Sequence, residues 1–230
     1  MPFFYYFDPT MLIVLPALIF TIWAQINVNS TFEKYKKVMT RSHTTGYDAA
    51  RRILDANGLH DVSIERVHGE LTDHYDPRDN VIRLSDSVYD SPSAAAVGVA
   101  AHEAGHAVQH AKGYAPIKIR QAIIPATRIG SMFAMPLFII GLILAAEPLV
   151  YLGIIFYALA VVFQLVTLPV EFNASRRAMV ALESGGNMDQ EELAASRKVL
   201  TAAALTYVAA LATALLSLLR LIVIANGRRR

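Results

Sequence analysis

Apolar residues in this chain gather into four long runs, at 11–26, 129–146, 148–169 and 200–225, with polar sequence between them. A helix needs about 20 apolar residues, within a range of roughly 17–25, to cross the hydrocarbon core of a bilayer. The second, third and fourth runs reach that length, and the first does once the aromatic FFYYF at 3–7 is added. The fourth run carries a single charge, Arg220. Four transmembrane helices are therefore expected. The alternative is four buried helices of a soluble core, and the polar sequence is too short to cover them. No Lys or Arg precedes the first run and no small-x-small cleavage site follows it, so it reads as a retained span and not as a signal peptide.

Two polar stretches remain, 27–128 and 170–199. Two spans separate them, which places both on one side of the membrane. Within the larger stretch, TTGYDAARRILDANGL at 44–59 predicts an amphipathic helix with Ala49, Ala50, Ile53 and Leu54 on one face and Gly58 as its stop. DVSIERV and NVIRLS predict short strands, the second preceded by the turn DPRDN at 76–80. Ser91 and Pro92 predict the start of the next helix, Ser91 as N-cap and Pro92 at its first position, with an end near Gly113. The chain divides accordingly into a first span (1–28), an α+β segment (29–128), two further spans (129–169), a helical segment (170–199), and a last span with a basic tail (200–230).

Composition agrees with this pattern. Hydrophobic residues make up 54% of the 230 and charged residues 17%, against about 45–50% and about 25% in soluble domains. The net charge of +2, with basic residues clustered at the ends of apolar runs, argues against a nucleic-acid partner. The absence of cysteine excludes disulfides and thiolate metal sites. Lys34, Lys36, Lys37, Arg41, Lys112, Lys118, Arg120, Arg128, Arg176, Arg177, Arg197 and Lys198 all flank spans on the polar side. Such flanks favour the cytoplasm. Arg228, Arg229 and Arg230 argue the other way, unless the last span does not fully cross.

The candidate chemistry lies in VAAHEAGHAVQH at 99–110. On a helix, His102 and His106 project about 40° apart and one turn along, close enough to meet one ion. Glu103 points about 100° away from His102, placed to take a proton from a water on that ion. This is the HExxH pattern of zinc enzymes, in which Zn2+ lowers the pKa of its water toward about 7. Ala104 and Gly105 add no bulk and are expected to leave space over the metal. A polar helix face at a membrane surface is the plainer alternative. A catalytic zinc takes a third protein ligand. A metzincin would have Gly at 109 and His at 112, where Gln109 and Lys112 stand. His110 lies about 80° round and two turns along, a poor candidate. Glu171 in VEFNASRRA is the better one, against the plainer role of pairing with Arg176 or Arg177. Glu147 falls on the opposite side of the membrane, and Glu183, Glu191 and Glu192 read as exposed helix charges.

The stretch DHYDPRDNVIRLSDSVYDSPSAAAVGVAAHEAGHAVQH, together with VEFNASRRA, resembles the neutral zinc metallopeptidases of the bacterial YugP type. More distantly it is similar to HtpX-like and CAAX-prenyl-protease-like membrane enzymes. The resemblance implies a multi-pass protein of the cell membrane holding one Zn2+ per chain on His102, His106 and Glu171, with Glu103 as general base. The distant relatives carry an Asp four residues after the Glu; Ser175 stands there here, which leaves Asn173 or an Arg to orient a ligand.

The expected fold is a mainly α membrane protein, four transmembrane helices bearing a small α+β HExxH layer of gluzincin type. Its expected function is zinc-dependent peptide-bond hydrolysis on protein or peptide substrates, membrane-associated ones among them. A non-proteolytic zinc amidase or deacylase and a catalytically silent membrane scaffold or chaperone are the rivals. Asn80, Val81, Ile82, Arg83 and Leu84 are expected to form an edge strand to which an extended substrate could add. His74, Tyr75, Arg176 and Tyr207 are the candidates to stabilise a developing oxyanion.

Overall fold

The computed structural model describes residues 8–227. The aromatic flank at 3–7 and the arginines at 228–230 lie outside the described residues. The chain runs α1 (Met11–Tyr35), α2 (Gly46–Ala56), β1 (Ser63–Val67), β2 (His74–Asp76), β3 (Val81–Ser85), α3 (Ala94–Ala111), α4 (Ala115–Ile143), α5 (Glu147–Gly185) and α6 (Gln190–Gly227). The first, third and fourth apolar runs lie in helices that continue beyond them, whereas the second, at 129–146, outlasts α4, which ends at Ile143. All four helices, α1, α4, α5 and α6, are long and apolar enough to cross a membrane. Ile19, Trp23 and Ile26 of α1, Ile129 and Met132 of α4 and Ile155 of α5 stand exposed. Lipid tolerates such surfaces where water would not.

The contacts divide into two compact units. One comprises Met1–Ala24, Ile119–Leu168 and Tyr207–Arg230. Here glycine sets the helix spacing. A Cβ at Gly141 would come 2.6 Å from the Val150 nitrogen, and one at Gly153 would come 2.7 Å from the Ala134 carbonyl oxygen. Small residues are what allow helix backbones this close. Arg220, the charge in the last apolar run, is paired: its Nη2 donates to Asp8 Oδ2 at 2.7 Å and its Nε to Thr10 Oγ1 at 3.0 Å.

The other unit comprises Gln25–Lys118 and Pro169–Thr206. Its sheet has the order β1-β3-β2, with β1 parallel and β2 antiparallel to β3. This overturns the edge-strand expectation for Asn80, Val81, Ile82, Arg83 and Leu84. Val81–Ser85 is the central strand, paired on both sides, and Asn80 belongs to the turn before it with φ of 55°. The outer strand β2 has three residues, too few to show a period-two pattern. β3 has the burial of an inner strand: Val81, Ile82 and Leu84 are buried, and Ile82 and Leu84 pack in one core with Leu54 of α2 and Val97 and Ala100 of α3.

Two helix starts differ from the sequence expectation. Ser93, not Ser91, caps α3: its Oγ accepts from the Ala96 N–H at 3.2 Å. Pro92 lies ahead of the cap, because Ser93 bridges to Met39 in extended conformation. Thr45 caps α2 in a capping box with Asp48. Glu192, expected as an exposed charge, is buried and accepts from the backbone N–H groups of Asp189 and Arg41. It forms the acidic half of the box that starts α6, since Asp189 in turn accepts from the Glu192 N–H.

Candidate metal centre

α3 carries His102 and His106 one turn apart, and α5 brings Glu171 to them. His102 Nε2 lies 3.1 Å from His106 Nε2. Glu171 Oε2 lies 3.3 Å from His102 Nε2 and 3.4 Å from His106 Nε2. Three donors at bond lengths of about 2.0–2.1 Å round a tetrahedral Zn2+ stand about 3.3–3.4 Å from one another. The observed triangle matches that face to within a few tenths of an ångström. The donor set, two imidazoles and one carboxylate, is also that of a catalytic zinc. His106 and Glu171 are buried and His102 is half-buried. Among the described residues, no other group of three potential ligands gathers in this way.

The approach of the two helices depends on Gly105. A Cβ there would come 2.8 Å from the Ala174 carbonyl oxygen. The sequence reading gave Gly105 the role of leaving room over the metal; the space is instead occupied by the backbone of α5. The glycine places Glu171 within reach of the histidines.

A second layer fixes the rings. Ser175 Oγ lies 3.1 Å from His102 Nδ1. His106 Nδ1 meets Gln109 Oε1 at 3.0 Å. The Gln109 amide cannot turn round, because its Nε2 donates to the Val170 carbonyl at 2.8 Å and to Asn173 Oδ1 at 3.0 Å. His106 Nδ1 must therefore carry the proton, which leaves Nε2 as the lone pair facing Glu171. Arg177 Nε donates to Asn173 Oδ1 at 2.7 Å and closes the chain. Sequence reasoning gave Ser175 no partner and cited Gln109 only as a missing glycine. The available signal for Gln109 was its place three residues after His106, on the same helix face.

Glu103 is buried on α3 and accepts no hydrogen bond from another described residue, so its carboxylate remains available. Near it is a carboxylate that sequence reasoning missed. Asp73 accepts from the Ser85 N–H at 2.7 Å and from Ser85 Oγ. Burial pushes the Asp73 pKa up, the Ser85 hydrogen bonds draw it back, and the charge of Glu103 adds to the rise.

The remaining candidates are not gathered at the trio. His74 is exposed, and its Nδ1–H donates to the Thr72 carbonyl. Tyr75 donates to Asn80 Oδ1, and its ring lies 6.1 Å from that of His110, which is likewise apart from the trio. Arg83 pairs with Asp76, Asp79 and Glu65. Arg176 is exposed, and Tyr207 belongs to the other unit.

The profile of a family described as "Putative neutral zinc metallopeptidase" matches residues 10–226. The chain is 50% identical over 217 residues to a Bacillus subtilis (strain 168) protein described as "Putative membrane protease YugP", covering 94% of this chain and 96% of that relative. No solved structure matches the chain.

Two substitutions test this geometry. Gly105→Ala should force α3 from α5 and weaken Zn2+ binding at least tenfold, measured against a competing chelator; unchanged affinity would refute the role of the close approach. Gln109→Leu removes the partner of His106 Nδ1 and should cost about 10–100-fold in Zn2+ affinity. The same Nε2 binds protons. In the metal-free protein burial disfavours the charged His106 ring, but the Glu171 hydrogen bond and the charges of Glu103 and Glu171 outweigh it and raise its pKa above 6.5. Protonation then stabilises the metal-free fold fully below pH 6.5, and this contribution is lost as pH rises through the raised value. Zn2+ requires the nitrogen unprotonated. The gain in melting temperature on adding saturating Zn2+ should therefore be larger at pH 8 than at pH 6, and equal gains would contradict it.

Proposed function

The chain belongs to the neutral zinc metallopeptidase family, and we propose that it is an integral membrane endopeptidase holding one Zn2+ on His102, His106 and Glu171. The observation that carries this reading is the triangle of donor atoms with a free, buried carboxylate, Glu103, beside it on α3. Bound zinc supplies Lewis acidity, which lowers the pKa of a water toward about 7 and polarises a peptide carbonyl. The residues of the chain do the rest. Glu103 takes the proton of the attacking water and delivers it to the leaving amine. Ser175 and Gln109 hold the two imidazoles in orientation, each through Nδ1.

The substrates we propose are proteins or peptides, membrane-associated ones included, since the enzyme itself spans the bilayer. An extended substrate can pair only with the free edges of β1 and β2, because β3 is enclosed. The basic flanks of the spans support a cytoplasmic location for the site.

The experiment compares Glu103→Gln and Glu171→Ala with the parent in detergent, reading zinc by elemental analysis and cleavage by mass spectrometry of a peptide library. Glu103→Gln should retain about one zinc per chain and lose about 10²–10⁴-fold in rate, the usual contribution of a general base. Glu171→Ala should lose the zinc. A zinc-loaded parent that cleaves no peptide but releases acyl or acetyl groups would indicate an amidase or deacylase, and full activity in Glu103→Gln would remove that residue from the mechanism.

A further inference from the structure

A cavity of about 640 Å³ lies in the same unit as the metal centre, yet none of His102, Glu103, His106 and Glu171 lines it. Four basic side chains do: Arg52 of α2, Lys112 just after α3, and Arg176 and Arg177 of α5. No Asp or Glu lines it. The neighbouring cavities of about 520 Å³ and 390 Å³ also carry basic residues, but both include Glu183, which pairs with Arg197. Some cations elsewhere are matched, as in Arg41 with Asp189, Arg51 with Asp55 and Arg83 with three carboxylates, and others, such as the exposed Lys37, stand alone among the described residues. What sets the cavity apart is that four cations line one space. None of the four cavity cations forms an ion pair with a described residue. Arg52 reaches Thr44 Oγ1, and Arg177 holds Asn173 and lies over the Tyr114 ring.

Four like charges facing one space repel each other unless an anion joins them. Helix C-termini could supply the negative charge for Lys112, but that effect fades within the last turn of a helix. Arg176 and Arg177 stand more than two turns before the end of α5 at Gly185. The cavity is much larger than a bare oxyanion. Its walls between the cations are apolar, including Ile53, Val97 and Val108, while Asn57 and Ser184 offer neutral hydrogen-bonding groups. An anionic group joined to an organic body fits that lining. Arg176 and Arg177 follow Pro169, where the apolar run of α5 ends, by seven and eight residues, or about 10–12 Å of helix. At that distance from an apolar run, the abundant organic anions are phosphate esters of lipid headgroups.

We propose that this cavity is a binding site for an organic phosphate, held by Arg52, Lys112, Arg176 and Arg177, and that anionic phospholipid headgroups are its source. Guanidinium groups pair phosphate oxygens two at a time, and the lysine adds a point charge. The proposal does not rest on the peptidase reading, because none of His102, Glu103, His106 and Glu171 lines the cavity, although Asn173 and Arg177 belong both to its lining and to the network behind Gln109.

The test uses the full chain in neutral detergent and measures binding of phosphatidylglycerol, phosphatidylcholine, glycerol phosphate and inorganic phosphate. Phosphatidylglycerol should bind at least tenfold more tightly than phosphatidylcholine. The double variant Lys112→Gln with Arg176→Gln should lose at least tenfold of that affinity, and Lys37→Gln, an exposed cation outside the cavity, should lose none. Arg52→Gln provides a second, single-site variant, and unchanged melting temperatures establish that the variants are folded. Arg177 is kept, because it also orients Asn173. Variant-sensitive binding of glycerol phosphate or inorganic phosphate, equal to that of the lipid, supports the site and assigns its source to soluble phosphate. Equal binding of the two lipids, equal loss in Lys37→Gln, or displacement by an acidic peptide in place of phosphatidylglycerol overturns the proposal.

Discussion

The close contact of α3 with α5 at Gly105 is the constraint on which the metal centre depends. Two histidines at i and i+4 can be written on any helix, and by themselves they make a pair and not a site. The third donor must come from another element, and a short carboxylate side chain reaches only if the two backbones nearly touch. Gly105 against the Ala174 carbonyl provides that contact. Small residues flank it along the interface, with Ala101, Ala104, Ala174 and Ala178 all buried. Gly98 extends the pattern to α6, where a Cβ would come 3.1 Å from that of Ser196. The alanine-rich sequence of α3, which looks featureless beside its histidines, is therefore what lets two other helices close on it.

Such a dry, tight interface makes polar groups expensive unless each finds a partner. The interface meets this with a connected network. Gln109 is fully buried, and all three described hydrogen bonds of its side chain run within the network, to His106, Val170 and Asn173. Because both hydrogens of its amide are taken, its oxygen has one destination, and the tautomer of His106 follows from a residue that touches no ligand position. Arg177 ends the network at the basic cavity, so the same guanidinium borders the phosphate site and orients the support of the metal centre.

How much of this could be read in the sequence depended on the range of each interaction. The spans were legible because crossing a bilayer imposes a length that a single run of residues must satisfy. The pairing of His102 with His106, and the place of Glu103 beside them, follow from helix geometry alone. Glu171 required topology as well, its place directly after the third span and on the side of the histidines, and the resemblance then pointed to the same residue. The sheet order was not legible. His74–Asp76 is too short to carry a pattern, and without it Val81–Ser85 looks like the end of the sheet instead of its centre. Ser93 displaced Ser91 as the cap through a bridge to Met39, 54 positions earlier, which no local rule anticipates. The partner of Ser175 and the role of Gln109 were hidden for another reason: both meet ring nitrogens, whose direction is known only once the helices are packed.

The placement of Glu171 on α5 has a mechanical consequence. α5 runs from Glu147 to Gly185, and its apolar run ends only two residues before the glutamate. A ligand on a loop can adjust to its neighbours, whereas one on a helix is fixed by helical phase, about 100° per residue. Glu171, Asn173, Ser175 and Arg177 are therefore set by one rigid element, and so are the contacts they make with His102, Gln109 and the basic cavity. Moving that helix by a turn, or rotating it by one residue, would break all of these contacts together. A layer whose described sheet has three short strands can hold a preorganised site in this way, because α3 and α5 carry the site residues and are themselves packed into the core of that unit.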